Sequence, residues 1–421
     1  MGYGHLRAIN PLKIYSDNDI VILGQNDGSS ENEIKEWNNA RNIYEWFSKI
    51  SQFPIIGKII YNIINLLFYI PNFKTKLNHA KPTFQVKFLD KKIRKNNFSS
   101  AFLNKLDKEN DIILTTFYTS AIAAEINNFK NIYCVICDSD INRVWVSKDS
   151  DKSNIVYFAP CESVVERLLS YGVNRNKIHL TGFPLSNELI GENMNVVKSN
   201  LVNRLHNLDR NKLFLSQNKN VIEKRLGSFN EVETINKKIT ISFVVGGAGA
   251  QTNIAETIIS NLSDLLNSDV IELNLFAGIR TEAKLYFEGI IQKYKTKNVN
   301  ILFYASIQEY FTDFEQKLNQ TDILWTKPSE LSFYTSLGLP IIISLPIGHH
   351  ENYNCEWILN NKSGVKYLEN LNLKNWLISN LAEGKFAEMA WNGFANGKIS
   401  GTKKIYEIIC KECDINLVKC S

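Results

Sequence analysis

The chain predicts an α/β protein of two Rossmann-like domains, each built on a doubly wound parallel sheet, facing each other across a cleft. Three observations carry this. Short, β-branched apolar runs recur at 111–115, 132–137, 155–159 and 177–181, and again at 239–245, 271–277, 300–304, 322–325 and 341–345. They have the length and composition of strands buried on both faces. Helical patterns separate them, which is the alternation of a parallel sheet with crossover helices. The rhythm is broken once, by an Asn-, Lys- and Glu-rich stretch at 187–236 that reads as a helical linker or insertion on the surface. The expected domains are therefore 1–189 and 238–391, with 190–237 between them and a helical tail over 392–421.

Size and composition agree. A chain of 421 residues with 44% hydrophobic residues is long enough for two compact domains with ordinary cores. A net charge of +5 is too mild to point to nucleic acid, although it suits an anionic ligand or an acidic membrane surface. Seven cysteines, an odd number scattered widely, fit reduced thiols. Cys134 and Cys137 form one CxxC, but in a strand residues three apart face opposite ways. Cys410 and Cys413 form another in the tail helix, and no metal site is expected from either. Gly2, Tyr3, Gly4 and His5 stand where a signal peptide needs charge and then an apolar core, so the cytosol is the expected compartment.

Taken in order, Gly2 to His5 looks like a glycine turn running into a helix through Leu12. No strand feeds that turn, so either Met1 is an internal start or the domain has lost its first strand. A second strand is expected at 19–24. Residues 54–71 enclose the most apolar run of the chain, bounded by Pro54 and Pro71. Sixteen residues lie between those prolines, short of the roughly 17 to 25 that span a bilayer, and Lys58, Asn62 and Asn65 form a narrow polar stripe. Two readings stand: a helix packed into the first domain, or one lying in the membrane interface. Further on, 162–171 is helical, with Val165, Leu168 and Leu169 on one face and Gly172 as its stop.

The second domain carries two polar constellations. Val245-Gly246-Gly247-Ala248-Gly249-Ala250-Gln251 follows a strand directly, where glycines let the backbone turn sharply and bring N–H groups near a phosphate. Asn253 and Glu256 have capping-box spacing for the next helix, whose positive end would favour the same anion. The apolar runs at 322–325 and 341–345, with a helix-length segment at 329–337 between them, form a βαβ crossover. Lys327, Ser329 and Glu330 follow the first run, and His349, His350, Glu351 and Asn354 the second. Ligands of such sheets sit at the carboxyl ends of the strands, so these groups converge on one edge.

Four segments resemble the GT-B glycosyltransferases of the group containing monogalactosyldiacylglycerol synthases and the bacterial enzyme that adds N-acetylglucosamine to lipid-linked muropeptide. Gly2-Tyr-Gly-His5 is similar to that group's first glycine loop. Asp138 to Trp145, with Lys177-Ile-His-Leu-Thr-Gly-Phe-Pro184, resembles the segments closing its acceptor domain. Gly246 to Gln251 resembles the donor-phosphate loop, and Lys327-Pro328 through Asn354 the donor signature. The resemblance implies an inverting, metal-independent transfer of a sugar from a nucleotide-diphosphate sugar, most often a UDP-sugar, with no further cofactor. The acceptor would be held by the first domain, and a lipid at the cytoplasmic membrane face is one candidate.

Carried over by residue, Gly246, Gly247, Gly249 and Gln251 would hold the diphosphate, and Lys327, Ser329, Glu330, His349, His350, Glu351 and Asn354 would bracket nucleotide and sugar. His5 would be the leading catalytic base and Asp138 its competitor, with Gly2, Gly4 and Asp140 on the acceptor side. One position departs: where the group has a ribose-binding glutamate this chain has Ser332 or Phe333, leaving Glu330 one turn earlier. Two other classes stay open on the same architecture. One is a sugar-nucleotide epimerase or hydrolase, which needs no acceptor; the other is a non-catalytic nucleotide-sugar-binding protein.

Overall fold

The computed structural model describes residues 3–16, 19–25, 29–50, 69–72, 78–227, 238–245, 251–346, 349–368 and 372–415. The chain divides into two compact units, one of Met1–Leu185, Ile347–Asn354 and Lys398–Ser421, the other of Ser186–Pro346 and Cys355–Gly397. Most of the apolar run at 54–71 lies outside the described residues.

The first unit opens with α1 (Tyr3–Ile9), which passes into a 3-10 turn (Asn10–Tyr15) at Pro11, where a missing N–H is least costly. Helices α2 (Glu31–Ile50), α3 (Phe84–Asn96) and α4 (Ser100–Leu103) precede the sheet. Strands β1 (Ile112–Thr115), β2 (Asn131–Val135), β3 (Val156–Ala159) and β4 (Ile178–Leu180) pair in that order, all parallel. Helix α5 (Tyr118–Ile126) joins the first two strands and α6 (Glu162–Ser170) the last two. Parallel strands added in sequence order by right-handed crossovers put those helices on one face. The opposite face is closed by the chain's two ends, where Leu12, Ile405 and Ile409 pack on Tyr133, Val135, Val156 and Phe158. As expected, α6 stops at Gly172, whose positive φ of 86° lets Val173 N–H reach back to the Leu168 carbonyl.

In the second unit α7 (Asn187–Ile190), α8 (Asn195–Leu208) and α9 (Leu213–Leu226) come first. The segment expected as a surface linker is therefore helical and partly core. Val197, Leu201, Leu205 and Leu208 are buried, at spacings that put them on one face of α8. Arg204 on the same face is wholly enclosed and donates to the carbonyls of Leu318, Thr321 and Leu337. Burial lowers its pKa to about 10. The Asn and Lys content had hidden that stripe.

The second sheet alternates strand and helix: β5 (Ile239–Val244), α10 (Ile254–Asn267), β6 (Ile271–Gly278), α11 (Thr281–Tyr294), β7 (Val299–Phe303), α12 (Ile307–Asn319) and β8 (Ile323–Thr326). A 3-10 run (Glu330–Leu337) stands where a helix was expected, followed by β9 (Ile341–Ile343), α13 (His349–Asn360) and β10 (Gly364–Lys366). Gly338 ends the 3-10 run at φ 70°, and a Cβ there would meet Leu201 Cδ1 at 2.6 Å. Helices α14 (Leu373–Ala382), α15 (Lys385–Asn396) and α16 (Gly401–Glu412) complete the described chain, α16 belonging to the first unit.

The six strands lie in the order β10-β9-β8-β5-β6-β7, all parallel. Counted from β5, that is the doubly wound order in which the first and fourth strands are central neighbours. The strand expected at 19–24 is not one: those residues pair with no other strand among the described residues, and Val21 is 42% exposed.

Candidate functional site

In the first unit, candidate groups collect at the carboxyl ends of β1 and β2. His5, on α1, places Nδ1 2.8 Å from the Thr116 carbonyl, just past β1. A carbonyl only accepts, so this bond puts the imidazole proton on Nδ1. The ring stands edge-on to Phe117 at 5.3 Å and stacks on Trp145 at 6.5 Å. Tyr118 bridges those two aromatics, and burial lifts its phenol to about 12. Cys137 Sγ lies 3.9 Å from His5 Nδ1, so the residue that follows it, Asp138, belongs to the same edge. Gly4 is part of α1, and Gly2 lies outside the described residues.

The loop after β2 is pinned atom by atom. Asn354, fully buried, accepts from Ser139 N–H at 2.7 Å and donates through Nδ2 to Asp138 Oδ1 at 2.9 Å. Ser163 Oγ donates to the Ser139 carbonyl at 2.6 Å. Asp140 forms a bidentate pair with Arg167, Nε and Nη2 each 2.8 Å from a carboxylate oxygen, and both residues are buried. Both Asp140 oxygens are thus engaged, and Oδ1 also accepts from Ile141 N–H. Asp138 Oδ2 accepts no hydrogen bond among the described residues.

Two of these roles were not visible in the spacing. Asn354 was expected against donor; its amide bonds Ser139 N–H and Asp138 Oδ1 on the β2 loop. Arg167 was not singled out, although a charged residue sharing a helical face with Val164 and Leu168 is a signal for a buried ion pair.

In the second unit the order reversal falls between β5 and β8, where the crossovers leave in opposite directions; ligands of such sheets bind at the strand ends there. In chain order, residues 245–251 follow β5, and Lys327, Pro328, Ser329 and Glu330 follow β8. Thr326 Oγ1 donates to the Val244 carbonyl at 3.2 Å, tying the two strand ends together. Gln251 Nε2 reaches the Leu345 carbonyl past β9 at 2.6 Å. Lys327 and Ser329 are half-buried, and Glu330 is buried. Gly246, Gly247 and Gly249 lie outside the described residues.

The capping box expected at the start of α10 does not form. Asn253 makes no capping bond, and Glu256 turns instead to Lys293 Nζ at 2.7 Å and Tyr294 OH at 3.2 Å. The hydrogen bond from Lys293 is the main reason its carboxyl titrates below the usual range. His349 and His350 open α13, and Glu351 in its first turn is buried. Among the described residues no group of three His, Cys, Asp or Glu side chains could hold a metal. Nor is any helix among them long and apolar enough to cross a membrane.

The described chain thus holds two parallel-sheet α/β units, the second in doubly wound order. The chain is 24% identical over 283 residues to a processive diacylglycerol beta-glucosyltransferase of Bacillus licheniformis, an alignment covering 63% of this chain and 61% of that protein. It thus spans about 61% of the length of this curated relative. No family model matches it. Among solved structures it is similar to MurG of Acinetobacter baumannii, with 11% identity, a TM-score of 0.44, and coverage of 78% of this chain and 77% of that one. It is also similar to the UDP-GlcNAc 2-epimerase of Methanocaldococcus jannaschii, with 17% identity, a TM-score of 0.43, and coverage of 97% and 98%.

Proposed function

We propose that the chain is an inverting, metal-independent glycosyltransferase that moves a sugar from a nucleotide-diphosphate sugar, a UDP-sugar first, to a hydroxyl acceptor held by the first unit. The observation that carries this reading is the switch point of the second sheet. The glycine-rich segment 246–250 and the Lys327–Glu330 segment follow the two neighbouring central strands there, β5 and β8. Ligands of such sheets bind at that place, and glycine N–H groups with a lysine ammonium suit a diphosphate.

In the reaction, His5 Nε2 takes the proton of the acceptor hydroxyl while Thr116 holds the ring in the required tautomer. The hydroxyl oxygen forms its bond to the anomeric carbon from the face away from the phosphate. The carbon–oxygen bond to the diphosphate breaks with both electrons, and the configuration inverts. Lys327 and the glycine-rich segment after β5 stabilise the departing nucleoside diphosphate. Asp138 is the competing base, since Oδ2 remains available while Asn354 fixes Oδ1.

A lipid acceptor is supported by the name of the Bacillus licheniformis relative, a diacylglycerol glucosyltransferase. The aromatic walls around His5, Phe117 and Trp145, suit an acceptor with an apolar body. The test is product analysis after incubation with labelled UDP-sugar, with and without diacylglycerol. Label in the lipid supports transfer. Epimerised or hydrolysed donor in the absence of acceptor assigns the chain to donor-only chemistry, and untouched donor in both tubes excludes the enzyme.

A further inference from the structure

Strand β7 ends one side of the second sheet and pairs with β6 alone among the described residues. Leu273 N–H donates to the Asn298 carbonyl and Tyr304 N–H to the Gly278 carbonyl, both at 2.9 Å, so the even-numbered residues of this stretch turn their backbone toward β6. Successive residues of a strand turn to opposite edges, which leaves the N–H and C=O groups of Val299, Ile301 and Phe303 on the outer edge without a ladder partner. Sheet edges are usually blunted by lysine or proline, and the run 299–304 has neither. Beside it lies a cavity of about 520 Å³, between the half-buried residues Ile301 to Tyr304 and one face of α12. That face carries Gln308, Glu309, Thr312, Asp313 and Gln316, opposite the buried Phe311, Phe314 and Leu318. The lining thus holds two carboxylates and no cation. Both are fixed: Asp313 accepts from Tyr304 OH, and Glu309 from Ala305 N–H at 3.2 Å. Asn300, on the same side of the strand as Tyr304, donates to Glu272 at 2.6 Å and sets a third carboxylate there.

We propose that β7 takes an extended basic segment of a partner protein as an added strand. The partner's backbone would fill the outer rungs, and its lysine or arginine side chains would meet Glu309 and Asp313. The spacing suits this. Residues four apart on a helix are separated by about 6 Å along its axis, close to the roughly 6.6 Å between alternate side chains of a strand. In such additions main-chain hydrogen bonds supply affinity and the alternate side chains specificity. A second copy of this chain fits less well. A two-fold axis pairing β7 with its own copy would carry both α12 helices to one face of a continuous sheet, and the carboxylates of one groove would face those of the other. The docking requires nothing of the sugar chemistry.

The experiment is fluorescence polarisation of labelled octapeptides titrated with the full chain. The probes are alternating lysine and valine, alternating glutamate and valine, and the lysine peptide with its two central valines replaced by proline. The expected result is saturable binding of the first that weakens with salt, with the other two at least about ten-fold weaker, the acidic one through charge and the proline one through lost rungs. Gln308→Lys combined with Gln316→Lys should weaken the lysine peptide about ten-fold, with thermal unfolding unchanged because both side chains are exposed. Ile301→Pro removes an outer N–H and no bond to β6, and should weaken it similarly. Should that variant fail to fold, the lysine pair still decides. Equal binding of all three peptides, no binding of the first up to about 1 mM, or wild-type-like binding by the lysine variant would overturn the proposal. So would a dimer in analytical ultracentrifugation that the lysine variant abolishes, which gives the edge to a second copy.

Discussion

The Asn354 amide donates to Asp138 Oδ1 at 2.9 Å from a fully buried position, while its own oxygen caps the next backbone N–H, that of Ser139. One side chain thus sets both the direction of a candidate carboxylate and the path of the loop bearing it. Replacing Asn354 with Leu should cost about 2 kcal/mol of stability, the worth of a charge-assisted bond and a stranded N–H. The midpoint of urea unfolding reads this. Asn354→Asp sets two carboxylates side by side, which raises the pKa of one of them. That variant should be least stable at neutral pH and regain stability on mild acidification; a loss that does not depend on pH would contradict the contact.

His5→Ala should lower sugar transfer by roughly 10²- to 10⁴-fold, the usual contribution of a general base, and leave UDP affinity unchanged. Asp138→Asn separates the two candidates: if Nε2 is the base that variant keeps most of the rate, and a loss as large as that of His5→Ala transfers the role to Asp138.

Asp140 is the buried ion-pair partner of Arg167. Asp140→Asn would leave a buried guanidinium without its counter-charge, at a cost of about 3–5 kcal/mol. In a double-mutant cycle, Asp140→Leu combined with Arg167→Met should cost less than the sum of the single changes. If Asp140→Asn keeps full stability but raises the apparent KM for acceptor, the carboxylate meets substrate after all.

Glu315 on α12 gives the second unit a pH dependence. Burial, with the Glu188 carboxylate adding to it, pushes its pKa up to about 7 from 4.5. The folded state then holds the proton over a range in which the unfolded chain releases it. Its contribution is complete below pH 4.5, declines between about pH 4.5 and 7, and is lost above. Glu315→Gln should flatten that slope and raise stability at neutral pH by on the order of 1–3 kcal/mol. Parallel melting curves across this range for both proteins provide the check.

The strands were legible because a strand buried on both faces must be apolar throughout, as Ile341–Ile343 and Val156–Ala159 are. Gly364–Lys366 was not, since a three-residue strand with glycine and lysine carries no such run. Residues 19–24 misled for the converse reason, an apolar run of four, Ile20 to Leu23, that finds no partner strand among the described residues. The polar groups at the strand ends could be located from chain order alone. Their contacts could not, because spacing does not say which way an amide or a carboxylate turns. Asn354 facing Asp138 and Glu256 facing Lys293 are both of this kind.

The most direct test is calorimetric titration of UDP into the wild-type chain and into Lys327→Ala. Placing the diphosphate at the β5–β8 switch point predicts one site in the wild type and an affinity at least about ten-fold weaker in the variant, through loss of a charge-assisted bond. A wild type that binds no nucleoside diphosphate, or a variant that binds UDP as tightly as the wild type, contradicts the account.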